Sequence, residues 1–172
     1  MSNINHHKHI AIEKAYKPLF GNWFVWVGMI GITLIIIFSI FWGYKFFFQL
    51  PMEKQAELET EFKAIVPLQG ASVVDYHASN KAGQALVSVG YLTDINSADI
   101  FKYYDEQLRQ HGWQPDGTHG VKDWGRDLGG KSADYCKGDY AAELQYAGQQ
   151  ANYGWTYGLS MSWGLDHCKT GS

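Results

Sequence analysis

Residues 125–132, GRDLGGKS, carry the spacing of a phosphate-binding loop: Gly125, four residues, then Gly130, Lys131 and Ser132. That spacing holds phosphate only where a strand leads into the glycines and a long helix follows, so that backbone N–H groups and the helix N-terminus converge on one anion. Here only VKDW precedes it, and Gly138 and a strand-like stretch follow. No nucleotide site is expected.

Asp116, His119, Asp123 and Asp127 offer oxygen and nitrogen donors of the kind a divalent cation takes. Only a helix would align them, and Gly120 and Gly125 oppose one. A solvated acidic loop is the expectation. His6, His7 and His9 supply imidazoles with no second group to fix their geometry. Neither a metal nor a cofactor is expected.

Asp166, His167 and Cys168 set an acid, an imidazole and a thiol side by side. Neighbours on a strand point to opposite faces, so this order builds no nucleophile with its base. Cys136 and Cys168 are the only cysteines, and neither belongs to a CxxC spacing. An even pair in an exported domain reads as a disulfide. No catalytic residue is assigned; a small hydrolase using His77, His111 or His119 with a nearby Asp is the weakest of the functional alternatives.

The aromatic residues Trp155, Tyr157 and Trp163 alternate with Gly, Thr and Ser along 154–164. Their spacing predicts one face of a strand, and large rings on such a face fill the layer between a sheet and a helix. They are also the candidate binding surface, a flat platform for sugar rings or for a partner's side chains. The face they leave holds only Gly, Ser and Thr, small enough for another chain to approach closely.

The element that places all of these is the apolar run of residues 21–44, GNWFVWVGMIGITLIIIFSIFWGY, which has no charged side chain. A bilayer core ~30 Å thick takes about 20 helical residues at ~1.5 Å each. The run predicts a membrane anchor over 18–48, with Trp23, Trp26, Trp42 and Tyr44 at the headgroup level. A cleaved signal sequence is shorter, about 7–15 apolar residues ending in small ones, whereas this run continues into KFFFQLPMEK. Lys8, Lys14 and Lys17 precede it and Lys45 and Lys54 follow, which sets the N-terminus inside and residues 1–17 as a cytoplasmic tail at an inner membrane. Ser39 and Gly43 form a small-xxx-small pair of the kind that lets helices associate.

Beyond the anchor, Pro51 interrupts the helix, and Leu58, Phe62, Ile65 and Val66 resume helical spacing. Residues 51–66 read as a helical stalk with Glu53, Glu57 and Glu61 on a solvated face. Residues 67–172 have the length of one domain. They carry eight Lys or Arg against twelve Asp or Glu, a formal balance of −4. A mildly acidic domain without a basic stripe excludes nucleic acid as the partner.

Within it, 71–79 and 85–93 flank the turn-rich NKAGQ and read as a hairpin, and 139–147 with 154–164 read as another centred near 151. Extending the second hairpin places Cys136 nearly opposite Cys168. Between the hairpins, Ile100, Phe101, Tyr104 and Leu108 make a helical stripe, Asn96 or Ser97 caps it, Gly112 ends it, and Trp113 folds back over Leu108. Residues 114–135, rich in Gly and Asp, predict loop with a short strand or turn near Val121–Trp124. The expected architecture is α+β: a single transmembrane helix, then an antiparallel sheet of two hairpins packed on one helix, in the order ββαββ.

These readings describe a single-pass anchor presenting a disulfide-bonded extracytoplasmic domain that binds another membrane or extracytoplasmic protein, as an accessory subunit or as an inhibitor. The alternative is a glycan- or lipid-binding module of the envelope that uses its exposed aromatics.

Overall fold

A computed structural model describes residues 20–165 and Cys168. His6, His7, His9, the lysines ahead of the anchor, Asp166 and His167 lie outside the described residues. The chain divides into two compact units, residues 1–43 and 44–172.

The first unit is built on α1, Phe20–Tyr44, in which large apolar side chains face outward along the whole described length. It lies in the one helix among the described residues that is long and apolar enough to cross a membrane. Thr33, one of its few polar residues, donates its hydroxyl to the Met29 carbonyl at 2.8 Å.

The second unit begins with a π-helical turn, Lys45–Gln49, and continues as α2, Leu50–Ala64. Pro51 does not interrupt the helix: Gln49 and Leu50 are both helical, the Leu50 N–H reaches back to the Lys45 carbonyl across the π-turn, and that wider turn directly precedes the residue that brings no N–H. α2 covers most of the predicted helical stalk, 51–66, and it packs against the sheet. Leu58, Phe62 and Ile65 belong to the same buried cluster as the sheet, because an amphipathic helix of this length stays folded by burying its stripe. Glu53 and Glu57 are exposed, as their spacing predicts, and at the margin of the sheet Glu57 accepts from Tyr140 and Glu61 pairs with Lys137 at 2.7 Å.

The sheet has six antiparallel strands: β1 Ser72–Lys81, β2 Gln84–Leu92, β3 Gln114–Asp123, β4 Arg126–Lys137, β5 Tyr140–Tyr146 and β6 Tyr157–Trp163. Their order across the sheet is β1-β2-β6-β5-β4-β3. α3, Ser97–Gln110, joins β2 to β3. Its cap is Asn96, whose side chain accepts from the Asp99 N–H, and Gly112 takes φ +84° while the Trp113 N–H returns to the Leu108 carbonyl.

The general α+β class therefore holds, and the ββαββ order does not. Residues 114–135 are not loop; they form most of a long hairpin, β3–β4. β3 is an edge strand exposed along nearly its full length, so it has no buried side to impose an apolar alternation on the sequence.

The registers put Val87, Val89 and Tyr91 of β2 beside Met161, Leu159 and Tyr157 of β6, and these beside Ala142, Leu144 and Tyr146 of β5. Onto this face pack Leu58 and Phe62 of α2 and Ile100, Tyr104 and Leu108 of α3. The other face carries Ser88, Gly90, Gly158, Ser160, Glu143 and Gln145, as expected where one side of an antiparallel sheet meets water.

Cys136 and Cys168 lie at disulfide distance, with Cα atoms 5.6 Å apart. The route differs from a simple hairpin extension. Cys136 sits on β4 opposite Ala141, which in turn is opposite Ser162 of β6, so β5 lies between the strand that carries Cys136 and the strand that precedes Cys168.

Candidate binding surfaces

The candidate platform Trp155, Tyr157 and Trp163 is divided by the fold. β6 starts only at Tyr157, and the residues before it turn away from the strand: Thr156 N–H donates to the Tyr91 carbonyl and its hydroxyl donates to the Thr93 carbonyl. Tyr157 is fully buried. Its ring stacks on Tyr91 with centroids 4.9 Å apart, and its hydroxyl meets the Tyr104 hydroxyl at 3.0 Å. Burial pushes the Tyr157 phenol up to about 12, and it raises Tyr91, Tyr104 and Tyr135 as well. Trp163 is half-buried against the same core.

Trp155 alone of the three reaches the open face. Its Cβ lies 3.6 Å from where a side chain on Gly90 would begin, so the absence of that side chain lets the residue settle on the sheet. The indole stacks on Tyr153, centroids 5.6 Å apart and planes 27° from parallel. Beside this pair lies a cleft of about 470 Å³ lined by Val121, Asp123, Leu128 and Gln145.

Trp124 is the residue that sequence reasoning passed over. It occupies the two-residue turn between Asp123 and Arg126, which are paired in register and joined by an ion pair at 2.6 Å. Trp124 has φ +49° and Gly125 φ +83°, the two positive values that a tight hairpin turn of the primed kind requires. Among the described residues it is the only non-glycine with positive φ, and its side chain is 96% exposed. The signal was present in DWGR: a glycine two residues past an acid, between stretches that pair.

A larger groove, about 820 Å³, runs between α3 and the β3–β4 hairpin. Ala98, Phe101 and Tyr135 supply apolar surface, and Lys102 and Lys131 flank it with no acidic partner in ion-pair distance among the described residues. Asp105, on the same rim, is engaged by Arg109 at 2.8 Å and by the Tyr135 hydroxyl at 3.2 Å.

His119 Nδ1 stands 3.2 Å from Asp134 Oδ2, and Ser132 is its partner in register. This is the order of an acid, a base and a hydroxyl. A nucleophile must reach substrate, however, and Ser132 is fully buried with its hydroxyl donating to Glu143 at 2.7 Å. His77 bonds Ser79, and His111 closes the end of α3.

The remaining donors are dispersed. Asp123 pairs with Arg126, Asp127 accepts from the Gly129 N–H, and Asp116 is elsewhere on β3; among the described residues no three His, Cys, Asp or Glu side chains converge on a metal position. GRDLGGKS spans the hairpin turn and β4, with a strand where a phosphate loop needs a helix. Trp23, Trp26 and Trp42 are exposed on α1, and Tyr44 stacks on Phe48 at 5.6 Å.

No protein-family model, no curated protein and no solved structure matches the chain.

Proposed function

We propose that this chain is a single-pass membrane protein of the inner membrane, N-terminus inside, whose disulfide-bonded α+β domain binds another membrane or extracytoplasmic protein as an accessory subunit or an inhibitor. The length and apolarity of the N-terminal helix support the anchor. The cysteine pair supports an oxidising compartment.

Trp124 carries the binding reading. A bulky non-glycine residue held in a left-handed backbone conformation lowers the stability of the free protein, and such outliers, like large exposed rings, concentrate where a partner is engaged. Tryptophan is also the side chain most often found anchoring protein interfaces. Turn and ring together favour a hairpin tip that inserts into a pocket on the partner.

The test is affinity capture from native membranes with the full chain, comparing the natural protein with Trp124→Asn. Asparagine accepts the same backbone conformation, so the fold is retained and only the ring is lost. The co-purifying protein is expected to disappear from the Trp124→Asn sample; its undiminished recovery overturns the reading. A glycan-binding role rests on a different observation, the Tyr153–Trp155 stack beside Gln145 and Asp123. It gains support if Trp155→Ala alone removes retention on cell-wall glycan.

A further inference from the structure

The sheet has two edges, and only one of them is blunted. β3 is shifted out of register with β4 twice, at Pro115/Gly117 and at Val121/Lys122, and Pro115 has no N–H to offer a neighbour. β1 has a single shift, between Val73 and Asp75. From Asp75 to Lys81 its register with β2 is unbroken, and the segment contains neither Pro nor Gly. Alternate residues of a strand turn their N–H and C=O groups to each side, so an edge strand of this regularity presents a row of unpaired groups to an incoming strand.

We propose that β1 pairs antiparallel with β1 of a second copy about a two-fold axis at Ala78, so that Asp75 of each chain stands opposite Lys81 of the other. The side chains of this segment select that occupant. Through their partners on β2, Asp75, His77, Ser79 and Lys81 share the open face, and Tyr76, Ala78 and Asn80 share the helix face. A two-fold axis perpendicular to the sheet preserves faces, so directly opposed residues must come from the same set.

Among the registers that meet this condition, the one centred on Ala78 brings both acid–base pairs together. Moving the axis to His77 sets Asp75 against Ser79 and Lys81 against Val73, and moving it to Ser79 sets Lys81 against His77. Neither Asp75 nor Lys81 has an ion-pair partner among the described residues of its own chain. Charges on an edge normally repel other strands; placed with opposite signs at mirror positions, they attract a copy of themselves. The centre of the pairing is the methyl group of Ala78, which leaves the backbones room to close. His77, which bonds Ser79 of its own strand at 3.1 Å, faces Ser79 of the second copy as well.

The pairing goes beyond the Trp124 reading and does not depend on it. Its test uses the full chain in lipid nanodiscs loaded with several copies. A residue on the axis meets itself, so Ala78→Cys is expected to yield a disulfide-linked dimer on mild oxidation, at a Cα separation of about 4.5–5.5 Å. Tyr76→Cys and Asn80→Cys are each expected to stay monomeric alone and to link when the two are mixed.

Asp75→Lys should lower the cross-linked fraction of the Ala78→Cys protein at least ~10-fold by turning two attractions into two repulsions, and Asp75→Lys with Lys81→Asp should restore it. Trp124→Asn should leave it unchanged. A folded Ala78→Cys protein that forms no dimer overturns the proposal. So does self-linking of Tyr76→Cys, or a charge-reversed double variant that dimerises no better than the single one.

Discussion

The helix-covered face of the sheet and the tip of the β3–β4 hairpin are opposite answers to the same physical demand. On the covered face the rings of Tyr91, Tyr104, Tyr135 and Tyr157 are buried and their hydroxyls find partners within the core: Tyr104 and Tyr157 bond each other, Tyr135 donates to Asp105, and Leu68 N–H donates to Tyr104. At the tip one of the largest side chains in the protein is left in water on a backbone conformation that suits asparagine or glycine. The first region is arranged for stability. The second holds a non-glycine residue at positive φ, a conformation that costs free energy unless something offsets it.

The largest expected effect tests whether the covered face includes α2. Leu58 is fully buried with the sheet, so Leu58→Ala should cost roughly 2–5 kcal/mol, as much as the same change at Leu144 in the middle of β5. Chemical unfolding followed by tryptophan fluorescence measures it. A helix that merely tethered the domain would show almost no change at Leu58 alongside a full loss at Leu144.

The second effect concerns the phenols that the covered face keeps neutral. Burial raises the Tyr157 phenol from its ordinary value near ~10 to about 12. Between those values the unfolded chain has released its proton and the folded chain has kept it, so stability is complete below pH ~10 and falls as pH rises. Tyr157 alone contributes a slope of roughly 1.4 kcal/mol per pH unit across that window. Tyr91, Tyr104 and Tyr135 shift in the same direction and add to it. Unfolding midpoints from pH 9 to pH 12 should therefore drop steeply. In Tyr157→Phe the drop should be shallower, and an equal slope in both proteins would place that phenol in water.

How far the sequence reveals this architecture depends on burial. α3 was legible to within a residue, because its stripe, a cap at Asn96 or Ser97 and its Gly112 terminus all report the same helix. β2, β5 and β6 were legible because their buried sides impose alternation. β3 was not, since an edge strand in water leaves no pattern, and β4 went with it because its alternating residues are Gly, Ser and Ala. Glutamates at four-residue spacing pointed to the solvated face of α2, but Tyr140 and Lys137, which engage Glu57 and Glu61, come from the far side of the sequence.

The aromatic stripe was legible only in part. Periodicity assigned Trp155, Tyr157 and Trp163 to one face, and a strand that begins at Tyr157 puts Trp155 on the other. Trp124 lay inside a segment read as loop, where exposure carries no signal.

The smallest effect is the most discriminating for the comparison. If the hairpin tip holds Trp124 at a cost, Trp124→Asn should raise stability, since asparagine enters the left-handed region more cheaply and Asn-Gly is the preferred pair in a two-residue hairpin turn. The gain should be about 0.5–1 kcal/mol, a rise of a few degrees in melting temperature for a domain of this size. Trp124→Ala should not share it, because alanine keeps the strain and loses the ring. Measured together, the two variants separate backbone from side chain: a gain confined to asparagine locates the cost in φ. Equal gains would locate it in the exposed indole, and a loss in both would mean that the ring stabilises its own hairpin and that the tip is no less adapted to folding than the face the helices cover.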